Sequence, residues 1–396
     1  MKRILLPLLL ATAAAHAVGG KSDLPEIEPR PLPGIAPPDP GLALVDTLTH
    51  QDLHNVTSIV VSPDGKQAYA AAFTAATVSV LDRQRRSGRL KLVQSLTGPE
   101  FAGAVAFRLS KDGRFGAASC FGASSVILFS REAENGALKV IDTAGGAGGP
   151  MAGLNFCIDN VFSPDGRHLY TIGSGAIVAF EIKDGKLVHR MTADEPVRVE
   201  AGAGPIQTNG RGIAISPDGT RVYSAWQGSG SLAVHRRDPE SGRLEFLEAL
   251  RDDGDAIRGL AGVMRVSVDD RGRFVYTAGG RFGGNDAVGV FDGGGEKLVP
   301  VQVLMGEDLP AGFAGGNELA LSPDGREVAV ACTLADTVAR FRRDAETGRL
   351  EPIGCEECPP AANPGPSGVG WSPDGRFLHV ADEKSDSLLS FRHAPR

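Results

Sequence analysis

Short apolar segments recur along this chain, and each leads into a turn built from Pro, Asp and Gly or from close substitutes for them. The apolar segment Gly212–Ile215 precedes the turn Ser216–Gly219, and the apolar segment Arg221–Ser224 follows it. In such a turn Pro presets the first φ, Asp hydrogen-bonds back to the backbone, and Gly accepts a positive φ. Each motif therefore predicts a β-hairpin that joins two short strands.

The hairpin turn occurs seven times at a nearly constant interval. Five copies read SPDG, and two are degenerate, SKDG at Ser110–Gly113 and DDRG at Asp269–Gly272. Successive turn glycines are 48, 53, 53, 53, 53 and 50 residues apart. In the first repeat two further strands, Val78–Asp82 and Leu90–Leu96, follow the hairpin. A repeat of about 50 residues with four short strands predicts an all-β fold, a seven-bladed β-propeller with four-stranded antiparallel blades.

The two ends of the chain predict how the ring closes. The last repeat ends after its third strand, Ser387–Phe391, and therefore lacks a fourth strand. The segment Gly41–Leu48 resembles Arg89–Leu96, which contains the fourth strand of the first repeat. We therefore expect this N-terminal strand to pair into the last blade, which removes two exposed strand edges.

The residues before the repeats have a different character. Lys2 and Arg3 precede an apolar run and then Ala15-His16-Ala17, which is the pattern of a cleaved signal peptide. The apolar run is too short to cross a bilayer. A Pro-rich stretch follows and predicts an extended linker. The expected domains are a signal peptide at 1–17, a linker at 18–41 and the propeller at 42–396, in a periplasmic or secreted protein.

Composition and charge narrow the range of partners. The chain has 396 residues and a formal net charge of −7, without a long Lys/Arg block. Because phosphate neutralisation needs a basic surface, we expect no nucleic-acid partner. The histidines lack the spacing of metal ligands, and we expect neither a metal nor another cofactor. We expect a monomer without a membrane span, whose partner is a small anionic molecule or a protein.

Polar residues at equivalent positions of different blades should converge at one end of the central channel. Asp159, Arg211, Arg265 and Glu318 lie four or five residues before their hairpin turns. Two arginines can hold a carboxylate or phosphate, and a nearby carboxylate can act as a base, although pairing with Arg lowers its pKa. The alternative is a structural ion-pair ring around a wet channel. His54, just before the first inner strand, either shuttles protons or caps a loop.

The hairpin turns and a second motif resemble a known family. The second motif, RDxx[ST]GxL, is clearest at Arg237–Leu244 and Arg343–Leu350. Together these motifs resemble the β-propeller lactonases, which include a bacterial 6-phosphogluconolactonase and fungal carboxymuconate cyclases, with the YVTN-repeat propellers as relatives. The resemblance covers about residues 42–396 and implies an active site where the innermost strands begin.

The resemblance also implies site residues, because the family site contains a His, two Arg and a Glu. The family's His position falls on Ile158, its first Arg position on Arg211, its Glu position on Gln227 and its second Arg position on Asn317. Of these four positions, only that of Arg211 keeps the family's residue type. Asp159 and Glu318 stand beside two of these positions. We assign candidate catalytic roles to Arg211 and Glu318, and candidate substrate-binding roles to Arg265, Asp159, Asn317, Gln227 and His54.

Five cysteines lie in the predicted propeller, and export permits disulfides. Cys120 ends a second strand, and Cys157 enters the next blade at the same face. Cys332 stands in nearly the same relation to Cys355 and Cys358. We predict a Cys120–Cys157 disulfide and a disulfide between Cys332 and either Cys358 or Cys355. A local Cys355–Cys358 bridge is the alternative.

Two functional hypotheses follow from these observations. The first is an exported lactonase-like hydrolase or cyclase that acts on a small anionic lactone, sugar acid or dicarboxylate at the channel mouth. The second is a non-enzymatic periplasmic propeller that binds a ligand or a protein. The family resemblance favours the first hypothesis, whereas the changed site residues and export away from cytosolic sugar phosphates favour the second.

Overall fold

The fold is that of a seven-bladed β-propeller, as the repeat predicts. The structure, a computed structural model, describes residues 41–146, 151, 153–194, 210–358 and 365–394. Within these ranges the strands form seven separate four-stranded antiparallel sheets. Short 3-10 turns connect some of them, at Gln51–Leu53, Pro99–Phe101 and Gly306–Asp308. The predicted signal peptide, and the linker up to residue 40, lie outside the described ranges.

The strands follow one another from the innermost to the outermost in each blade, and we number the blades in chain order. The first strand of the chain is β1, Leu42–Thr49. Blades 1 and 2 contain β2 Val56–Val61, β3 Gln67–Ala72, β4 Thr77–Arg83, β5 Leu90–Thr97, β6 Ala104–Leu109, β7 Phe115–Cys120, β8 Ser125–Arg131 and β9 Leu138–Gly145. Blades 3 and 4 contain β10 Asp159–Phe162, β11 His168–Ile172, β12 Ala176–Lys183, β13 Lys186–Asp194, β14 Gly210–Ile215, β15 Arg221–Trp226, β16 Ser231–Arg237 and β17 Leu244–Arg251.

The remaining blades have the same order. Blades 5 and 6 contain β18 Val263–Val268, β19 Phe274–Gly279, β20 Ala287–Asp292, β21 Val299–Met305, β22 Gly316–Leu321, β23 Glu327–Cys332, β24 Thr337–Arg343 and β25 Leu350–Glu357. Blade 7 contains β26 Pro366–Trp371, β27 Phe377–Asp382 and β28 Ser387–His393. Within the described residues, no helix is long and apolar enough to cross a membrane.

The first strand closes the ring, which confirms the prediction from the chain ends. β1 pairs antiparallel with β28 and completes blade 7 in the order β1-β28-β27-β26. Leu42 lies opposite His393, and Thr49 lies opposite Ser387. The innermost strands β2 and β26 contact each other across this junction, as do the innermost strands of every other pair of neighbouring blades.

The hairpin turns owe their shape to the side chains that the sequence motif supplies. In the first turn the Ser62 hydroxyl donates to Asp64 Oδ1 at 2.6 Å, and the Lys66 amide donates to the same oxygen at 3.0 Å. Gly65 has a φ of 68°, which favours glycine over residues with a side chain. All seven turns lie at one face of the ring, so the innermost strands begin at the opposite face, which we call the mouth.

A repeated arginine contact holds neighbouring blades together at the hairpin-turn face. Arg343, at the end of β24, donates through Nε to the Tyr276 hydroxyl of blade 5 at 2.5 Å and through Nη2 to Asp269 at 2.6 Å. Its Nη1 donates to the Gly325 carbonyl of its own hairpin at 2.9 Å. Arg237 makes a matching set of contacts from blade 4 to blade 3. The arginine that opens the RDxx[ST]GxL motif therefore has a structural role.

Buried histidines should make the fold sensitive to acid. Burial lowers the pKa of His235 from 6.5 to about 4. Between these two pH values the unfolded chain therefore binds a proton at this histidine, whereas the folded chain does not. This contribution to stability is complete above pH 6.5 and is lost as the pH falls toward 4. We expect His235→Leu to show a shallower fall in the free energy of unfolding over this range, as measured by urea titration at successive pH values.

The matched control is His189→Leu, because His189 is exposed on the outermost strand of blade 3. This control should keep the pH dependence of the unsubstituted chain. An equal acid slope in His235→Leu and the unsubstituted chain would show that His235 is not the group responsible.

Candidate functional site

Four charged side chains from four blades meet around the central axis, and we call them the ion-pair ring. They are Arg108 of β6, Asp159 of β10, Arg265 of β18 and Glu318 of β22. Arg265 lies 2.7 Å from Asp159 Oδ2 and 2.9 Å from Glu318 Oε2. Arg108 Nη2 lies 3.0 Å from Asp159 Oδ1 and 3.2 Å from Glu318 Oε2. The two positive and two negative charges therefore compensate each other in a closed circuit.

The charges of the ion-pair ring stabilise one another in a buried setting. Burial by itself would lower the pKa of Arg108, but the charges of Asp159 and Glu318 outweigh it and raise that pKa. Asp159 is 2 % exposed and contacts both arginines. On the hairpin-turn side of this ring lies a cavity of about 540 Å³, lined by residues such as Ile215, Val268 and Trp371. The four side chains of the ring line this cavity as well.

Arg211 points away from the ion-pair ring. The pairing register of β14 skips from Gly210 to Gly212, so Arg211 is the extra residue of a β-bulge. The same register shift occurs in the innermost strands of five other blades, so the bulge is a repeated feature of this propeller that changes the direction of the side chain at this position. Arg211 Nε donates to Gln227 Oε1 at 2.7 Å, and the guanidinium lies 4.7 Å from the Phe282 ring centre. Gln227 follows β15, so both polar residues come from blade 4.

The positive charge of Arg211 is unbalanced within the described part of the chain. No described carboxylate forms an ion pair with it, and its two terminal nitrogens contact no described hydrogen-bond acceptor. Burial, together with the positive charges of Arg281 and Arg265, lowers the pKa of Arg211 to about 10. The group is still protonated at neutral pH, because even the lowered pKa is well above 7. A half-buried cation with two free N–H-bearing groups is suited to hold a carboxylate or a polarised carbonyl.

An aromatic and an ion pair border Arg211, and sequence reasoning did not identify either of them. Phe282 is 54 % exposed and has a second guanidinium, that of Arg281, 4.6 Å from its ring centre. Arg281 in turn donates to both carboxylate oxygens of Glu383, at 2.5 and 2.6 Å. The sequence GGRFGGN contains both residues of blade 5, but its glycines give no indication that the Arg and Phe face the mouth.

An open cavity of about 370 Å³ adjoins this group between blades 4 and 5. Gln227 and Phe282 line it, together with Ser229, Arg251 and the backbone of Gly283. Its volume suits a small ligand such as a sugar acid or a short lactone. We define the mouth site as Arg211, Gln227 and Phe282 with this adjoining cavity.

The other predicted site residues lie outside the mouth site. Asn317 is buried, and its amide donates to the Ser367 carbonyl of the next blade at 2.7 Å, so it joins two innermost strands. His54 is exposed and follows the 3-10 turn Gln51–Leu53, where its carbonyl accepts from the Ala75 amide. The Asn317 side chain therefore has a structural role, whereas the contact of His54 involves its backbone alone.

Arg108 belongs to the ion-pair ring but was not predicted from its position relative to its hairpin turn. It lies two residues before its hairpin turn, whereas Asp159, Arg265 and Glu318 lie four residues before theirs. Its long side chain spans this offset. An arginine inside the otherwise apolar strand Ala104–Leu109 was the available signal.

All five cysteines are free thiols in the structure. Neither Cys120–Cys157 nor Cys332–Cys358 is bonded in it, so both pairings remain predictions. Burial raises the pKa of Cys120, Cys157 and Cys332 to about 12. These thiols are therefore protonated at neutral pH, which makes them poor nucleophiles.

The fold and the mouth site define a class of protein, a seven-bladed propeller with an arginine-lined mouth above a closed ion-pair ring. A comparison with family models identifies the class more closely. The model described as "Lactonase, 7-bladed beta-propeller" matches residues 45–153, 159–358 and 291–396. The chain belongs to this lactonase family.

Individual relatives are distant. A 6-phosphogluconolactonase of Formosa agariphila is 26 % identical over 207 residues, which span 50 % of this chain and 52 % of that protein. The match thus covers about half the length of that relative. A periplasmic gluconolactonase of Pseudomonas aeruginosa has a similar structure, with a TM-score of 0.64 and 20 % identity over 86 % of this chain and 92 % of that one.

The same fold also occurs in proteins with other names. Hydrazine synthase of Kuenenia stuttgartiensis matches with a TM-score of 0.63 and 17 % identity, over 87 % of this chain and 97 % of that one. At such identities the structural likeness shows the fold alone. Function must therefore be argued from the mouth site.

Proposed function

We propose that this chain is an exported lactonase that binds a small lactone or sugar acid at Arg211 and hydrolyses the lactone form. The observation that carries the proposal is the uncompensated charge of Arg211, which Gln227 orients and which adjoins a cavity of about 370 Å³. An arginine that forms no ion pair with any residue the structure describes, and that lies beside an open cavity, is arranged for an external anion rather than for the fold.

The proposed reaction adds water to the lactone carbonyl carbon and then breaks the ring C–O bond, which releases a hydroxy acid. Negative charge develops on the carbonyl oxygen as water adds. A donor placed to meet such an oxygen contributes about 10²–10³-fold to the rate. Arg211 supplies that donor through its terminal nitrogens, and the same nitrogens hold the carboxylate of the product.

Gln227 acts as a positioning residue in this scheme. By accepting a hydrogen bond from Nε at 2.7 Å, it fixes the plane of the Arg211 guanidinium. The two terminal nitrogens are then left for the ligand. A glutamine does this without adding a negative charge, so the positive charge of Arg211 remains available to an anion.

The carboxylates near the mouth are poorly suited to act as general bases. Glu318 and Asp159 each contact two arginines of the ion-pair ring, and Glu383 is held by Arg281. Their oxygens are engaged by guanidinium groups, which leaves them poorly placed to take a proton from an attacking water. We therefore assign the candidate catalytic role to Arg211 and treat Glu318 as part of the structural ring.

The pairing of carboxylates near the mouth with arginines favours a second candidate, a non-enzymatic propeller that binds a sugar acid. The family's glutamate position holds Gln227 here, and Glu383 is paired with Arg281. Asp252, which lines the cavity, accepts from the Leu260 and Ala261 amides through Oδ2. A site whose anion receptor is not matched by the family's glutamate can bind a ligand without converting it. Both candidates share Arg211 as the receptor.

Export is part of the proposal and rests on the signal-peptide pattern at residues 1–17. A structurally similar protein is called a periplasmic gluconolactonase, which agrees with a lactonase working outside the cytoplasm. The proposed substrate is accordingly an unphosphorylated lactone, for which D-glucono-1,5-lactone is the simplest probe.

The test is hydrolysis of D-glucono-1,5-lactone, followed by acid release, combined with calorimetric binding of gluconate. We expect Arg211→Ala to lower kcat/KM by about 100-fold because it removes the oxyanion donor. Arg243→Ala is the matched control, since Arg243 is exposed in the second hairpin of blade 4, and it should behave as the unsubstituted chain.

The outcomes separate the two candidates. Gluconate binding that depends on Arg211, without lactone hydrolysis above the spontaneous rate, identifies the binding protein. If the unsubstituted chain and Arg211→Ala bind and hydrolyse equally, Arg211 is not the receptor and both candidates fail.

A further inference from the structure

The mouth has an apolar half and a charged half. The residue that directly follows the second strand of each blade lies on the rim of the mouth. In blade order these residues are Phe73, Phe121, Gly173, Gln227, Gly280, Thr333 and Glu383. Aromatic residues occupy the first two blades, and polar or charged residues occupy blades 4, 6 and 7. The rim is therefore asymmetric although the blades are alike.

A third aromatic ring extends the apolar half into blade 3. The ring centres of Phe73 and Phe121 are 6.0 Å apart, and those of Phe121 and Phe156 are 4.8 Å apart. Both distances lie in the range of favourable aromatic pairing. We call Phe73, Phe121 and Phe156 the phenylalanine arc. It spans three consecutive blades at the mouth face.

Backbone contacts connect the phenylalanine arc to the strand that carries Arg211. A Cβ on Gly173 would lie 2.9 Å from the Phe156 carbonyl oxygen, so the two backbones are in close contact. The Gly173 carbonyl accepts from the Gly210 amide at 3.2 Å, and Arg211 is the next residue. The backbone at the exposed end of the arc therefore lies beside the start of the strand that carries Arg211.

The other end of the arc adjoins the charged half as well. The Phe73 amide donates to the Asn55 carbonyl at 2.9 Å, and the Asn55 side-chain amide donates to the Glu383 carbonyl at 3.2 Å. Glu383 pairs with Arg281, which borders Phe282. Hydrogen bonds through Asn55 thus connect the rim residue of blade 1 to that of blade 7.

Phe156 is placed where folding alone does not favour a phenylalanine. Its side chain is 48 % exposed, and its φ of 52° lies in the left-handed region, where a bulky residue is rare. Residues in such conformations cluster at ligand-binding sites, because the surrounding structure maintains them for function. Phe156 adds an exposed ring face at the end of the arc nearest Arg211.

We propose that the mouth takes a lactone or carboxylate that carries an aromatic ring, with its ring on the phenylalanine arc and its oxygens at Arg211. Phenylalanine side chains offer no hydrogen bonds to the hydroxyls of a bare sugar ring, whereas an aryl ring gains burial and stacking there. The charge of Arg211 requires an anionic or strongly polarised oxygen. This inference rests on the proposed function, since it names the substrate class of the same site.

The test compares two product acids by calorimetry, gluconate and 3-(2-hydroxyphenyl)propanoate, the acid released from dihydrocoumarin. We expect the aryl acid to bind the unsubstituted chain more tightly than gluconate does. Phe156→Ala should raise the Kd of the aryl acid about tenfold and leave that of gluconate unchanged. Phe246→Ala is the control, because Phe246 is also 48 % exposed but lies on the outermost strand of blade 4.

The results distinguish failure of this inference from failure of the proposed function. If Arg211→Ala weakens binding of both acids but Phe156→Ala changes neither, the aromatic subsite is refuted and the anion site stands. The inference also fails if gluconate binds more tightly than the aryl acid. If the unsubstituted chain binds neither acid, the proposed function itself fails. A thermal melt of Phe156→Ala that matches the unsubstituted chain excludes misfolding as the cause of a lost affinity.

Discussion

Asp159→Ala is expected to lower the free energy of unfolding by about 3–5 kcal/mol, because breaking a buried ion pair leaves uncompensated charge behind. Asp159 is 2 % exposed and bridges Arg108 and Arg265. It also accepts from the Ile213 amide at 3.3 Å, which joins blade 3 to blade 4. Without it, two arginines share the single carboxylate of Glu318. Urea denaturation, followed by intrinsic fluorescence, measures the loss.

The control for this change is Asp270→Ala, which removes an exposed carboxylate beside the hairpin-turn cavity. Surface substitutions of this kind stay within about 0.5 kcal/mol. Gluconate affinity of the folded Asp159→Ala chain should remain close to that of the unsubstituted chain. A stable Asp159→Ala chain that has lost gluconate binding would instead make Asp159 a ligand-binding residue.

Arg343→Ala is expected to destabilise the fold by a similar amount, about 3–5 kcal/mol. The arginine is almost fully buried, and it contacts Asp269, Tyr276 and the Gly325 carbonyl at once. Its removal leaves Asp269, which is 1 % exposed, without its counter-charge. The interface between blades 5 and 6 is thereby weakened. Urea denaturation again provides the measurement.

The neighbouring residue provides a sharp control for Arg343. Arg342 lies on the same strand and pairs with Glu351, but both side chains are exposed. Exposed ion pairs contribute about 0–1 kcal/mol, so Arg342→Ala should have little effect. Equal losses in Arg342→Ala and Arg343→Ala would contradict a blade-locking role for Arg343.

The fold could be predicted from the sequence because local chemistry repeats. The turn at Ser62–Gly65 fixes a hairpin through its own side chains, and seven such turns at a constant spacing determine the number of blades. Pairing of β1 with β28 followed from counting strands. Neither inference required knowledge of contacts between distant residues.

The site was harder to predict because neighbouring positions on a strand point in different directions. Asp159, Arg265 and Glu318 share one position in their blades and meet at the axis. Arg211 lies one residue earlier, on a β-bulge that recurs at the same place in blade 6, and its side chain contacts Gln227 and Phe282 instead. Phe282 comes from a Gly-rich loop whose path depends on packing with the neighbouring blade. Periodicity locates the axis, but it does not give the direction of individual side chains there.

A crystal structure of the chain with bound gluconate would locate the ligand by direct observation. The carboxylate should lie within hydrogen-bonding distance of the terminal nitrogens of Arg211, beside Gln227 and Phe282, with the ion-pair ring still closed beneath it. Gluconate bound instead to Arg108 and Arg265, with the ring opened, would contradict the assignment of Arg211 as the anion receptor.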